Sequence, residues 1–362
     1  MTSETFNHRQ TTALPYVRAW LLFMAALIFC MVIVGGATRL TDSGLSITEW
    51  KPLLGAIPPM TEAHWLEAFE KYKQIPEYQQ VNKGMTLQEF EFIYWWEWGH
   101  RFLGRVIGLA FFLPFAYFAV TGALNAKTAV RCGVLFVLGG LQGALGWYMV
   151  ASGLVDRVDV SQYRLAAHLT LATVIYGAIL WVALGLGRSR HAPETGPQWL
   201  ALAIVALVVL QVAAGGFVAG LDAGFGYNTW PLIDGAVVPK GLFAAEPWWR
   251  NMFENALTVQ FNHRNLAYLI AVLVAVQAYV AWNSGSMILL ATVFAQVALG
   301  IWTLLWAVPL WLGLAHQGGA LVVFAAAIWN LHCALKGERV AVLRAVRVEQ
   351  WISSPPRSEG EE

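Results

Sequence analysis

Four histidines carry the chemistry this chain offers: His100 and His168 in its first half, His263 and His316 in its second. Each follows a chain reversal and lies near the start of an apolar run. Each half therefore presents two imidazoles at similar depth, on two helices running the same way. That arrangement suits an iron porphyrin held between paired axial ligands. Zinc or copper is the rival, but zinc sites want three or four nitrogen, sulfur or carboxylate ligands close together, and neither pair has a Cys or Asp beside it. One intramembrane histidine alone could be a hydrogen-bonded packing residue. Two per half, at duplicated positions, point instead to ligation and to redox chemistry in a membrane. His8, His64, His191 and His332 have no repeat partner and read as solvated or interface positions.

The duplication is legible along the whole chain. Gly35-Gly36 with Asp42, Gly44 and Trp50 recurs as Gly215-Gly216 with Asp222, Gly224 and Trp230. Glu97-Trp98-Gly99-His100-Arg101 recurs as Gln260-Phe261-Asn262-His263-Arg264, Gln142 with Leu145-Gly146 as Gln296 with Leu299-Gly300, and His168 as His316. The order is the same in both halves, the signature of an internal membrane repeat. Gln142 and Gln296 read as interhelical hydrogen-bonders, with the adjacent glycines allowing close helix approach.

The mismatches between the halves are informative. Glu97 stands where the second half has Gln260, and Arg39 where it has Ala219. Glu97 lies three residues before His100, which on a helix puts both side chains on one face. A carboxylate beside a porphyrin edge can accept a proton or stabilise developing positive charge; an amide does neither well. The first half therefore reads as the one that performs chemistry, and the second as the holder of a fixed redox cofactor. Arg101 and Arg264, each next to a histidine, are placed to neutralise porphyrin propionates.

These residues need membrane helices to position them. The chain is 58% hydrophobic and 12% charged, about half the charge of a soluble domain. Eight apolar runs approach the roughly 20 residues that cross a bilayer: Trp20–Ala37, Phe102–Gly122, Cys132–Gly153, Leu165–Leu186, Trp199–Leu221, Leu266–Trp282, Met287–Val308 and Leu312–Leu335. The first is too long for a cleavable signal, and the repeat requires it. Arg9, Arg18, Lys127, Arg131, Arg188, Arg190, Lys336, Arg339, Arg344 and Arg347 all fall on one side of eight crossings, so that side and both termini are cytoplasmic. The long loops near 38–99 and 222–262 then face outward, with the histidines below them. Thr61 and Thr86 predict N-caps of surface helices, Thr86 with Glu89 as a capping box. A net charge of +1 offers no basic stripe for nucleic acid, and Cys30, Cys132 and Cys333 all lie in or near apolar runs, leaving the outer loops without a disulfide.

Gly35-Gly36-Ala37-Thr38-Arg39-Leu40-Thr41, Ser43-Gly44-Leu45-Ser46, Trp50-Lys51-Pro52, Glu97-Trp98-Gly99-His100-Arg101 and the three later histidine segments together resemble haem A synthase, over roughly Ala19 to Leu335. The resemblance implies an all-α integral membrane fold of eight transmembrane helices in two pseudo-symmetric four-helix bundles. It implies oxidation of a ring methyl of haem O to a formyl group, giving haem A for cytochrome oxidase. It assigns a haem b to His263 and His316, the substrate haem to His100 and His168, and the essential acid to Glu97. The cysteine-free outer loops resemble the proteobacterial and mitochondrial branch. The expected organisation is a substrate bundle over 1–190 with Arg39 and Arg101 at its haem, a haem b bundle over 191–340 with Arg264, and a cytoplasmic tail over 341–362. The expected location is the bacterial inner membrane, in lipid, as a homo-oligomer in contact with haem O synthase and oxidase assembly factors. With both His100 and His168 on the iron, dioxygen has no open position, so electron removal from the macrocycle and addition of water is the simpler route. The competing readings are a dihaem carrier exchanging electrons with quinone, which needs no acid at one site only, and a haem transporter or chaperone.

Overall fold

A computed structural model describes residues 3–51, 54–186 and 197–336. Pro52, Arg188, Arg190, His191, Arg339, Arg344, Arg347 and the tail 341–362 lie outside the described residues, as do the side chains of His8, Arg9 and Lys336. The described residues form helices α1 (Ser3–Leu40), α2 (Glu62–Tyr72), α3 (Pro76–Gln80), α4 (Leu87–Val120), α5 (Ala126–Asp156), α6 (Gln162–Gly185), α7 (Gln198–Gly220), α8 (Ala223–Gly226), α9 (Asn251–Glu254), α10 (Ala256–Ala281), α11 (Ser284–Leu305) and α12 (Leu310–Lys336). Eight of them, α1, α4, α5, α6, α7, α10, α11 and α12, are long and apolar enough to cross a membrane.

Two of the four helices that carry the histidines start well before the apolar runs that announce them. α4 begins at Leu87 and α10 at Ala256, against the runs beginning at Phe102 and Leu266. Hydropathy cannot see these first turns because they carry Glu89, Glu91 and Glu97, or Gln260, Asn262 and Arg264. The caps do see them. Thr86 accepts from Glu89 N at 3.3 Å while Glu89 returns a bond from Thr86 N at 2.8 Å, closing the predicted capping box. Asn255 caps α10 through Leu257 N and Thr258 N. The catalytic candidates thus stand inside continuous helix rather than at its mouth.

The neighbour pattern is the same in each half. α1 packs on α4 and α6, and α5 on α4 and α6; α7 packs on α10 and α12, and α11 on α10 and α12. The halves meet through α1, α6, α7 and α12, whose apolar faces form one core around Leu21, Met24, Ile179, Ile204, Leu321 and Phe324. The most apolar stretch of α12 is 61% buried, that of α4 and of α5 only 6%, so α12 is central and the latter two are lipid-facing. Lipid tails are as apolar as the side chains, so close backbone approach must supply the attraction. Gly216 and Gly220, one turn apart on α7, do so: a Cβ on them would lie 2.8 Å from the Ala166 backbone and 2.7 Å from that of Gln162 on α6.

Above the membrane helices, α2 lies on the first turns of α4 and α3 on α5. Phe69, Tyr72, Ile75, Phe90 and Ile93 close a small core with Leu45 and Val160, and Phe69 stacks on Phe90 at 5.0 Å. Glu77 is only 4% exposed in this cap, and its Oε2 has no hydrogen-bond partner. Burial, and then the negative charges of Glu97 and Asp42, push its carboxyl up to about 8. Below the ordinary value of 4.5 both folded and unfolded chains hold the proton and the cap is at full strength. Between there and about 8 the unfolded chain binds fewer protons, so stability falls as pH rises, by on the order of 1 kcal/mol per pH unit. Above that it is flat. Melting of the purified protein should therefore fall between about pH 5 and pH 8, and Glu77→Gln should flatten that decline. Parallel profiles for the two proteins would mean that Glu77 is not a buried neutral acid.

Candidate functional site

The second half holds the better-defined pair. His263 on α10 and His316 on α12 face each other with ring centroids 6.5 Å apart and planes at 78°. A metal–imidazole bond of about 2 Å on each side, plus the ring half-widths, brings two ligands of one ion to about 6 Å between centroids. The pair is thus spaced for one ion between them. Among the described residues no group of three or more His, Cys, Asp or Glu could hold a bare ion, which favours a macrocycle over zinc.

Each of these rings stands on a glycine of the preceding helix and beneath a glutamine one turn earlier. A Cβ on Gly215 would lie 3.2 Å from His263 Cε1, and one on Gly300 2.7 Å from His316 Cε1. Gln211 Nε2 donates to the His263 carbonyl at 3.0 Å and lies 3.1 Å from Nδ1. Gln296 Nε2 donates to the His316 carbonyl at 2.7 Å and lies 3.1 Å from Nδ1. The glycine makes room for the ring, and the amide ties that turn of the histidine helix to its neighbour. In the first half Gly146 makes room for His168 at 3.0 Å, and Gln142 Nε2 donates to the His168 carbonyl at 3.0 Å. Gly35 makes room for His100 at 3.3 Å. Gln211 was not singled out from sequence. The signal for it was present, a glutamine four residues before a glycine at Gln142–Gly146, Gln211–Gly215 and Gln296–Gly300.

Glu97 is 2% exposed and both its oxygens are fully used. Oε2 accepts from Ser46 Oγ and from Ile47 N, each at 2.7 Å. Oε1 accepts from Arg101 Nη2 at 2.6 Å and Nε at 3.1 Å. Arg101 is itself pinned by the carbonyls of Ile47 at 2.9 Å and Glu49 at 3.2 Å, with Trp50 under its guanidinium at 5.5 Å. The loop through Ser46 and Ile47 therefore folds over α4 and fixes a carboxylate three residues before His100.

The corresponding place in the second half is unbalanced. Arg264 is 9% exposed and donates Nη2 to the Tyr227 carbonyl at 3.1 Å. Its Nε and Nη1, and Gln260 Oε1, are buried without partners. A buried guanidinium lacking a counter-ion is costly; an anionic edge beside His263 would supply the missing acceptors. The residues present therefore fit a haem bearing carboxylates, which His263 and His316 would ligate and Arg264 would neutralise.

Arg39 lies where the two halves join. Its guanidinium bonds Asp42 at 2.8 Å, Asp222 at 2.9 Å and the Ala219 carbonyl at 3.1 Å. Asp42 and Asp222 occupy the same place in the two repeats, and both have left-handed backbones, with φ of 48° and 52°. Asp tolerates that region better than most residues, which accounts for its recurrence just past the ends of α1 and α7. One arginine thus brackets both repeat turns.

An eight-helix polytopic protein with a histidine pair in each half, and an acid beside only one of them, is the class that fold and site define. Residues 18–328 match the COX15-CtaA family, cytochrome oxidase assembly protein. The heme A synthase of Parvibaculum lavamentivorans is 59% identical over 320 residues, 86% of this chain and 92% of the relative. That of Azorhizobium caulinodans is 57% identical over 321 residues, with the same coverage, and that of Nitrosospira multiformis 51% over 329 residues, 87% and 92%. The chain belongs to the COX15-CtaA family of cytochrome oxidase assembly proteins.

Proposed function

We propose that this protein converts haem O to haem A. The observation that carries the reading is the clamped carboxylate of Glu97 three residues before His100, set against the uncharged Gln260 three residues before His263. A pure electron carrier, the competing reading, has no use for an acid at one site only.

In this reading the chain forms two four-helix bundles, 1–190 for substrate and 191–340 for a resident haem b. Haem O lies between His100 and His168, with Arg101 holding Glu97 in place and Arg39 closing the seam to the second half. The oxidation balances as a methyl group plus one water giving a formyl group, four protons and four electrons, in two steps of two electrons. The first step yields the alcohol and the second a geminal diol that loses water. Water supplies the oxygen in this balance, so no oxygen molecule has to bind at the substrate iron. Glu97, held still by four donors, accepts the methyl proton or stabilises the cationic carbon that water attacks. The haem held by His263, His316 and Arg264 supplies a one-electron redox group. The basic turn at Lys127 and Arg131 supports cytoplasmic termini in the inner membrane, with α2 and α3 on the outer face.

Pigment extraction tests the reading. Cells supplied with haem O and expressing this chain should contain extractable haem A. Haem O and haem B alone, at normal protein level, would favour the electron carrier.

A further inference from the structure

The four histidine sites share one design, and one of them lacks a part. His168, His263 and His316 each have a glutamine donating to their carbonyl from the neighbouring helix, at 3.0, 3.0 and 2.7 Å. The residue four before Gly35, where the fourth glutamine belongs, is Met31. Its thioether has no N–H to donate. Its Cε instead abuts α4 one turn past His100, 3.3 Å from where a Cβ on Gly104 would lie. Gln317 on α12 donates to the Val32 carbonyl at 3.0 Å and so ties α12, not α4, to this turn of α1. The frame around His100 is otherwise intact: Thr38 Oγ1 bonds the Trp96 carbonyl at 3.3 Å, and Trp20 Nε1 the Ala110 carbonyl at 3.0 Å. What is missing is confined to the turn that carries the imidazole.

We infer that His100 is the exchangeable axial ligand of the chain, and that Met31 is the positioning residue that leaves it exchangeable. The inference rests on the assignment of the substrate haem to the first half. A resident haem must stay through many turnovers, and both its ligands are hooked. A substrate haem must enter and leave once per turnover, and one of its two ligands is not. The step is ligand dissociation only: the iron–nitrogen bond to His100 breaks, the imidazole leaves with its electron pair, and no oxidant is consumed. His168 stays hooked by Gln142 and keeps the macrocycle registered against Glu97 while the His100 side opens. A flexible, polarizable methionine lets the ring move without leaving an unpaired polar group behind.

Cyanide binding to the ferric protein loaded with haem O reads this without reference to turnover. In the wild-type chain the first site should bind cyanide and the His263–His316 site should resist it. Met31→Gln, nearly equal in length, supplies the missing amide. An interhelical hydrogen bond in a membrane is worth about a three- to twentyfold change in such an equilibrium. First-site cyanide affinity should fall by that factor, and retention of haem O through gel filtration should rise. Gln142→Met should do the opposite, freeing His168, and guards against Met31→Gln failing to fold. If Met31→Gln binds cyanide as the wild type does, or Gln142→Met leaves cyanide affinity unchanged, while haem A is still made, this inference fails and the proposed function stands. A chain that takes up haem at His263 and His316 alone, and makes no haem A, overturns both.

Discussion

Replacing Glu97 by glutamine should cut haem A formation by about 10²–10⁴-fold, the usual contribution of a positioned acid or base, while the protein still inserts and keeps its haem at His263 and His316. Haem O or its alcohol should accumulate. The structure sharpens why so conservative a change matters. Ser46 Oγ and Ile47 N donate to one oxygen, Arg101 donates twice to the other, and neither Ile47 N nor Arg101 can accept from an amide N–H. One side of the glutamine must face a donor, so the loop over α4 or the Arg101 side chain has to shift as well. The reciprocal change, Gln260→Glu, places a carboxylate one turn from Arg264, whose Nε and Nη1 lack partners, and should quieten that charge without creating a second active site. Near-normal haem A from Glu97→Gln at matched protein level would falsify the role given to Glu97.

Replacing His263 or His316 by alanine should abolish the low-spin b-type spectrum of the purified protein, with haem affinity down by more than about 100-fold. Each variant removes one of two axial bonds. It also opens a hole above Gly215 or Gly300 and leaves an amide, Gln211 or Gln296, beside an absent ring. The optical spectrum at matched protein concentration checks this, and an unchanged spectrum in both variants would remove the haem from this site. The corresponding changes at His100 and His168 should spare that spectrum, because His263 and His316 are seated on Gly215 of α7 and Gly300 of α11, all within the second half.

Much of the site was legible in the sequence because membrane helices are strongly constrained. Apolar runs long enough to cross a bilayer, punctuated by few polar residues, make each intramembrane histidine conspicuous, and duplication doubles the signal. That is how all four histidines, the Glu97/Gln260 mismatch and the capping box at Thr86 could be named from residue types and spacing. Helix starts were less legible, because hydropathy stops at the first polar turn: Glu97 and Arg101 read as flanks of a span, and they lie well inside α4.

Sequence alone therefore determined the eight long apolar helices and the repeated order of motifs, and named the candidate residues, all from local composition and period. Only tertiary structure decided what those residues touch. Arg101 reads from sequence as a propionate partner, yet its guanidinium is spent on Glu97 and on two carbonyls brought over from the 46–50 loop. Arg39 reads as a residue of the first site, yet it closes the seam between halves through Asp222, 183 residues away in the chain. The fitting of each histidine against a glycine, and the missing glutamine at Met31, are contacts between different helices. Spacing along one helix carries no information about which face of another helix it will meet, because that choice is made by close packing of the assembled bundle.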